Sequence, residues 1–69
     1  MAADAVTWVA QHGESLRGLP ADEAAARVRD AGLSPRRIEP GAVVTLEFRP
    51  DRVDLHCGAN GAVVAVRAG

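Results

Sequence analysis

Apolar and polar residues alternate through "RVDLHC". Val53, Leu55 and Cys57 fall on one side and Arg52, Asp54 and His56 on the other, which is the period of a half-buried strand. Asn60-Gly61 follows, the strongest short-range hairpin signal. A two-residue turn there predicts Cys57 opposite Val64, Leu55 opposite Val66, and Asp54 opposite Arg67 as a cross-strand ion pair. Upstream the period lengthens. Ala24, Val28 and Ala31 recur at helical spacing. Pro20 suits a first turn, Asp22 and Glu23 meet the positive end of the helix dipole, and Gly32 is a terminator. The spacing predicts a helix over about 20–31. Residues 6–12 allow a helical turn or two presenting Val6, Trp8 and Val9, interrupted by Gly13 and Gly18, with residues 1–5 as a frayed terminus. After Ser34-Pro35, residues 36–39 form a short candidate strand, and Pro40-Gly41 breaks it.

These elements predict an α+β fold, one α-helix packed on a small mixed β-sheet. The helix stripe and Val53, Leu55, Cys57, Val64 and Val66 would share its core. Sixty-nine residues leave no room for a second core, so residues 1–69 read as one domain, with 1–12 as an N-terminal segment. Aromatics are only 3%, so Val, Leu, Ile and Ala carry the packing. A net charge of -1 gives no electrostatic pull toward nucleic acid or an anionic membrane. The single cysteine excludes an internal disulfide. "MAADAVTWVAQHG" lacks the basic start and continuous apolar core of a signal peptide. The compartment stays open: exported if a signal was removed, otherwise cytoplasmic.

Catalytic chemistry finds no footing. Cys57 and His56 are strand neighbours and point to opposite faces, so they do not form a nucleophile and its base. Cys57 reads as core. His12 and His56 lack metal-ligand spacing, and the glycines form no phosphate-binding pattern. No catalytic residue, cofactor or metal is expected. Arg27, Arg29, Arg36 and Arg37, interspersed with Asp22, Glu23 and Asp30, read as a solvated face.

The segment "GAVVTLEFRPDR" at 41–52 is harder to place. Val43, Val44, Thr45, Leu46 and Phe48 favour extended backbone, yet Pro50 opposes a central strand. Two readings follow from composition. Val43, Val44 and Leu46 continue a strand and pack inward, or part of the run is held extended in solvent for another protein to pair with.

The run "VVTLEFRPDRV" resembles the binding loop of the potato inhibitor I family of serine-protease inhibitors. It is closer still to that family's bacterial and fungal elastase-inhibitor relatives, in which "RPDR" and a following Asn-Gly hairpin are familiar. The similarity extends from about Leu16 to Gly69, through Leu16-Arg17-Gly18, Glu23-Ala24, Gly41 and Val66-Arg67-Ala68-Gly69. It implies an exposed protease-binding loop of Val43, Val44, Thr45, Leu46, Glu47, Phe48 and Arg49. The reactive bond would be Leu46–Glu47, supported from below by Arg49 and Arg52. It also implies a subtilisin-, chymotrypsin- or elastase-like serine protease as partner; a monomer is expected.

Two departures stand out. Asp54 occupies the place where plant and leech members carry a second supporting arginine, which the closer microbial relatives also lack. Trp8 and Ala68 stand near the places where many microbial relatives carry a cysteine pair, so Trp8 is expected to replace that tie by packing on the end of the hairpin. The alternative function is a non-enzymatic interaction module of the same fold with a non-protease partner.

Overall fold

Asp4 caps the first helix. Its Oδ1 accepts from the Thr7 N–H at 2.9 Å and its Oδ2 from the Thr7 hydroxyl at 3.0 Å. The Thr7 backbone bond, with the hydroxyl behind it, holds the Asp4 carboxyl below the usual carboxylate range. One of the helix's orphan N–H groups is thereby satisfied, and α1 (Ala5–Leu16) follows. The computed structural model describes residues 4–44, 47 and 49–69. Among them the one expected helix becomes two.

Gly13 lies inside α1 instead of interrupting it. A Cβ there would meet Val9 Cγ1 at 3.1 Å and Val66 Cβ at 3.6 Å, so the missing side chain lets the helix lie close against the strand carrying Val66. This close approach offsets glycine's poor helix propensity. Ala5, expected to fray, is fully buried, and its N–H donates to Pro50 O at 2.9 Å. The helix gives way to a turn in which Gly18 has φ 89.

The second helix, α2 (Ala21–Asp30), matches the predicted span closely. Ala21, Ala24 and Val28 face inward, and Ala31 packs at the edge of the same cluster. Its end is a Schellman motif: Leu33 N–H donates to Val28 O at 3.1 Å and Gly32 N–H to Arg29 O at 2.9 Å. Gly32 has φ 80, and Leu33 and Val28 both enter the core, the apolar contact that accompanies this cap.

Three strands complete the fold: β1 (Ser34–Ile38), β2 (Arg52–Cys57) and β3 (Val63–Ala68), in sheet order β1-β2-β3. The β1 strand begins two residues before the predicted start and contains Pro35. That is tolerated because β1 is an edge strand. It runs parallel to β2, and β3 runs antiparallel.

The hairpin forms at Asn60-Gly61 with one residue more than predicted. Gly58 N–H donates to Ala62 O at 2.8 Å and Gly61, at φ 82, donates to Gly58 O at 3.0 Å. The turn therefore holds residues 59–61 and displaces the register by one, so Cys57 faces Val63 and not Val64. An irregularity between His56 and Cys57 then restores the predicted pairing of Leu55 with Val66 and Asp54 with Arg67. Val64 is left 52% exposed, and Val63 takes its place in the core at 2%.

Two substitutions check this packing. Val63→Ala should cost about 2 kcal/mol and lower Tm by about 8–16 °C, while Val64→Ala stays within about 0.5 kcal/mol. Thermal melts followed by circular dichroism compare them. Trp8 is half-buried against the cluster that also holds Ala68, with its ring 5.3 Å from that of His12. Trp8→Ala should therefore lower stability by about 1–2 kcal/mol, and an unchanged thermal midpoint would refute its role as a staple.

Candidate functional site

Because β1 and β2 are parallel, the chain must leave one end of the sheet and return to the other. Such a return takes a dozen or more residues and usually a helix. Residues 39–51 make it with none of their described residues helical. Each root of this loop is a proline turn. At the first, Ala42 N–H donates to Glu39 O at 3.1 Å across Pro40 and Gly41, and Gly41 has φ 75. Proline then a left-handed glycine is the pattern of a type II turn. At the second, Arg52 N–H donates to Arg49 O at 3.2 Å across Pro50-Asp51.

Both roots are tied to the body. Arg37 Nε donates to Glu39 Oε1 at 2.6 Å, and its Nη1 reaches Asp22 Oδ1 at the start of α2 at 3.3 Å. The Glu39 bond holds the Arg37 guanidinium above its ordinary pKa. Pro50 O accepts from Ala5 at the start of α1, and Asp51 O accepts from Ser34 N–H at 2.8 Å.

Beneath the loop lies the polar face of the sheet, opposite the face where Val53 and Leu55 are buried. Arg52 Nη2 donates to Glu47 O at 2.6 Å and also to Gly69 O. One guanidinium nitrogen thus joins the loop backbone to the end of β3. Arg36 on β1 grips Asp54 on β2 with a two-pronged fork, Nε to Oδ1 at 2.9 Å and Nη2 to Oδ2 at 2.7 Å. These bonds hold Arg36 above its ordinary pKa. Arg52 Nε sits 3.3 Å from the same Oδ1, within charge attraction but without hydrogen-bond alignment. A concavity of about 680 Å³ opens between loop and sheet, lined by these three side chains with Val44, Glu47, Val64 and Arg67.

Val43 is 100% exposed and Val44 36%; Glu47 and Arg49 are exposed too. Thr45, Leu46 and Phe48 lie outside the described residues. Arg49 stands 3.9 Å from both Glu47 Oε1 and Asp51 Oδ1, ion-pair contacts too long for hydrogen bonds. The reading of Arg36 as part of a solvated face is corrected: it is half-buried under the loop in an ion pair with Asp54. The expected Asp54–Arg67 pair gives way to it, although the backbone register between those two residues is as predicted. A detectable signal existed in Asp54 itself, since an acid on a strand beside buried positions needs a cationic partner. Its register partner on β1, however, is set non-locally. Among the described residues, no cluster of His, Cys, Asp or Glu is placed to hold a metal ion, and no helix is long and apolar enough to cross a membrane.

Comparison with known proteins bears on this arrangement. The family model described as peptidase inhibitor I78 matches residues 2–69. Among solved structures, bitter gourd trypsin inhibitor superposes with a TM-score of 0.72 at 26% identity, covering 80% of this chain and 85% of that one. The fungal elastase inhibitor AFUEI superposes with a TM-score of 0.71 at 18% identity, covering 94% of each chain, and this likeness speaks for the fold. A comparison with curated proteins gives no match. The resemblance to potato inhibitor I-like inhibitors read in the sequence is borne out.

Proposed function

Because the chain belongs to the peptidase inhibitor I78 family, and is a serine-protease inhibitor and not an enzyme, we propose how it inhibits. Residues 43–49 enter the cleft of a subtilisin-, chymotrypsin- or elastase-like protease as a substrate strand, with Leu46–Glu47 as the reactive bond. Val43, Val44 and Thr45 line the cleft before that bond; Phe48 and Arg49 line it after. The whole of residues 1–69 acts as one domain and as a monomer.

The observation that supports this reading most is the clamp of Arg52 on Glu47 O. A protease serine attacking the Leu46 carbonyl carbon would form an acyl-enzyme and release the Glu47 amine as leaving group. With the Glu47 carbonyl held from below, that amine stays beside the acyl carbon. It re-attacks, restores the peptide bond and frees the serine oxygen. A tethered nucleophile of this kind has a very high effective concentration, so religation competes with water. Holding the loop before docking also reduces the conformational entropy lost on binding.

Leu46 governs specificity in this reading. An aliphatic side chain suits an apolar pocket and is a poor match for a trypsin-type pocket, whose buried acid calls for Lys or Arg. Burial of Leu46 in the protease contributes about 1.5–3 kcal/mol. Leu46→Gly should then weaken inhibition of subtilisin about 10- to 200-fold, measured by titrating protease activity. Loss of the intact chain to rapid, permanent cleavage with no inhibition by the parent protein would overturn the proposal.

Arg52→Ala should shift the protein from inhibitor toward substrate. Mass spectrometry would show cleavage at Leu46–Glu47 accelerated about tenfold or more, the scale of losing a hydrogen bond from a charged donor, while the denaturant midpoint falls only modestly. Parallel losses in both would point to general unfolding.

A further inference from the structure

We propose that Asp54 and Arg36 form a second brace, in which the carboxylate aims a guanidinium supplied by β1 at the underside of the loop. This rests on the reading of residues 43–49 as the inhibitory strand. Of the supports that the resemblance implies, only Arg52 lies on β2, and Asp54 stands where plant and leech members carry a second one. In the parallel register, Arg36 lies directly beside Asp54. The fork between them uses both carboxylate oxygens, at 2.9 and 2.7 Å, a geometry that fixes the direction of the guanidinium plane as a lysine could not.

The charges also favour this assignment. Asp54 is buried, and its side chain contacts two cations, Arg36 and Arg52. One negative charge between two positive ones leaves a net positive site under the loop. It is answered by carbonyl dipoles, those of Glu47 and Gly69 on Arg52, and by the Glu47 carboxylate, whose charge acts on Arg36. Arginine at position 54 would set three guanidinium groups together with the Glu47 carboxylate left as the acid facing them. Asp54 therefore does not leave the brace short of a member. It recruits one from the neighbouring strand and stands within charge attraction of Arg52. Asp54 acts as a positioning residue through Arg36 and Arg52, without touching the protease.

The test compares the parent chain with Asp54→Asn, Arg36→Lys and the exchange Arg36→Asp/Asp54→Arg. Each is measured for subtilisin inhibition, for hydrolysis of Leu46–Glu47 and for thermal midpoint. Both single variants should weaken inhibition and speed hydrolysis about tenfold or more, the scale of a charged hydrogen bond lost. Combining them should add little beyond either alone. The exchange, which keeps the pair and moves the guanidinium to β2, should recover most of the loss.

Parent-like inhibition and hydrolysis in both single variants would overturn the second brace and leave the inhibitory loop standing. Failure of the parent to inhibit would strike the loop reading instead. Amide hydrogen exchange of Glu47 and Arg49 in the free protein then decides the brace: about tenfold faster exchange in the single variants supports it, and unchanged exchange refutes it. If Asp54→Asn fails to fold, Arg36→Lys carries the test, since it keeps the charge and removes only the fork.

Discussion

Arg52 ties the backbone of the loop to the end of the chain. Its side chain starts from the first residue of the central strand, beside a buried acid. From there one nitrogen reaches a loop carbonyl and the carbonyl at the end of β3. The sheet it stands on has few aromatic residues and no disulfide, so the shape of the loop rests on hydrogen bonds. Those bonds survive because the guanidinium is mostly enclosed, where salt screens charge much less than at the surface. The interaction has a condition: Arg52 keeps its direction only while the sheet beneath it is firm.

That firmness comes from the opposite face. Val53 and Leu55 sit at full burial between the helices and the neighbouring strands, and they alternate with Arg52 and Asp54 along one strand. The strand thus anchors itself with every second residue and supports the loop with the others. The close seat of α1, allowed by Gly13, contributes twice. It covers β3, and its first N–H fastens the loop root at Pro50. Core packing and the support of the loop are linked through the pleat of a single six-residue strand.

The features legible in the sequence were those set by neighbours in the chain. The second helix could be read because its stripe, its acidic first turn and its glycine stop are all local. The first root of the loop is legible because Pro40-Gly41 carries its break with it; at the second, Pro50 tells only against a central strand, and the turn over Pro50-Asp51 is a finding of the structure. The resemblance of "VVTLEFRPDRV" points to the function. The missed features depend on residues far apart. Gly13 reads as a helix breaker until the strand it admits is known. The hairpin's position was visible but not its extra residue, since Asn60-Gly61 serves turns of two lengths and the irregularity near Cys57 hides the difference further along. Arg36 looked like its solvated neighbour Arg37. What separates them is a partner eighteen residues away, chosen by a parallel register that no local pattern encodes.

The strand order has one more consequence. The middle strand lies downstream of the loop while its parallel neighbour lies upstream, so a break anywhere between Val43 and Arg49 divides the sheet's covalent ownership without unzipping it. The shorter piece would keep a hairpin whose inner strand is still bonded along the edge of the longer piece and still plugged into its apolar interior. Separation of the two would require exposing Val53 and Leu55 to water. A nicked molecule of this design therefore remains one particle for as long as that interior holds.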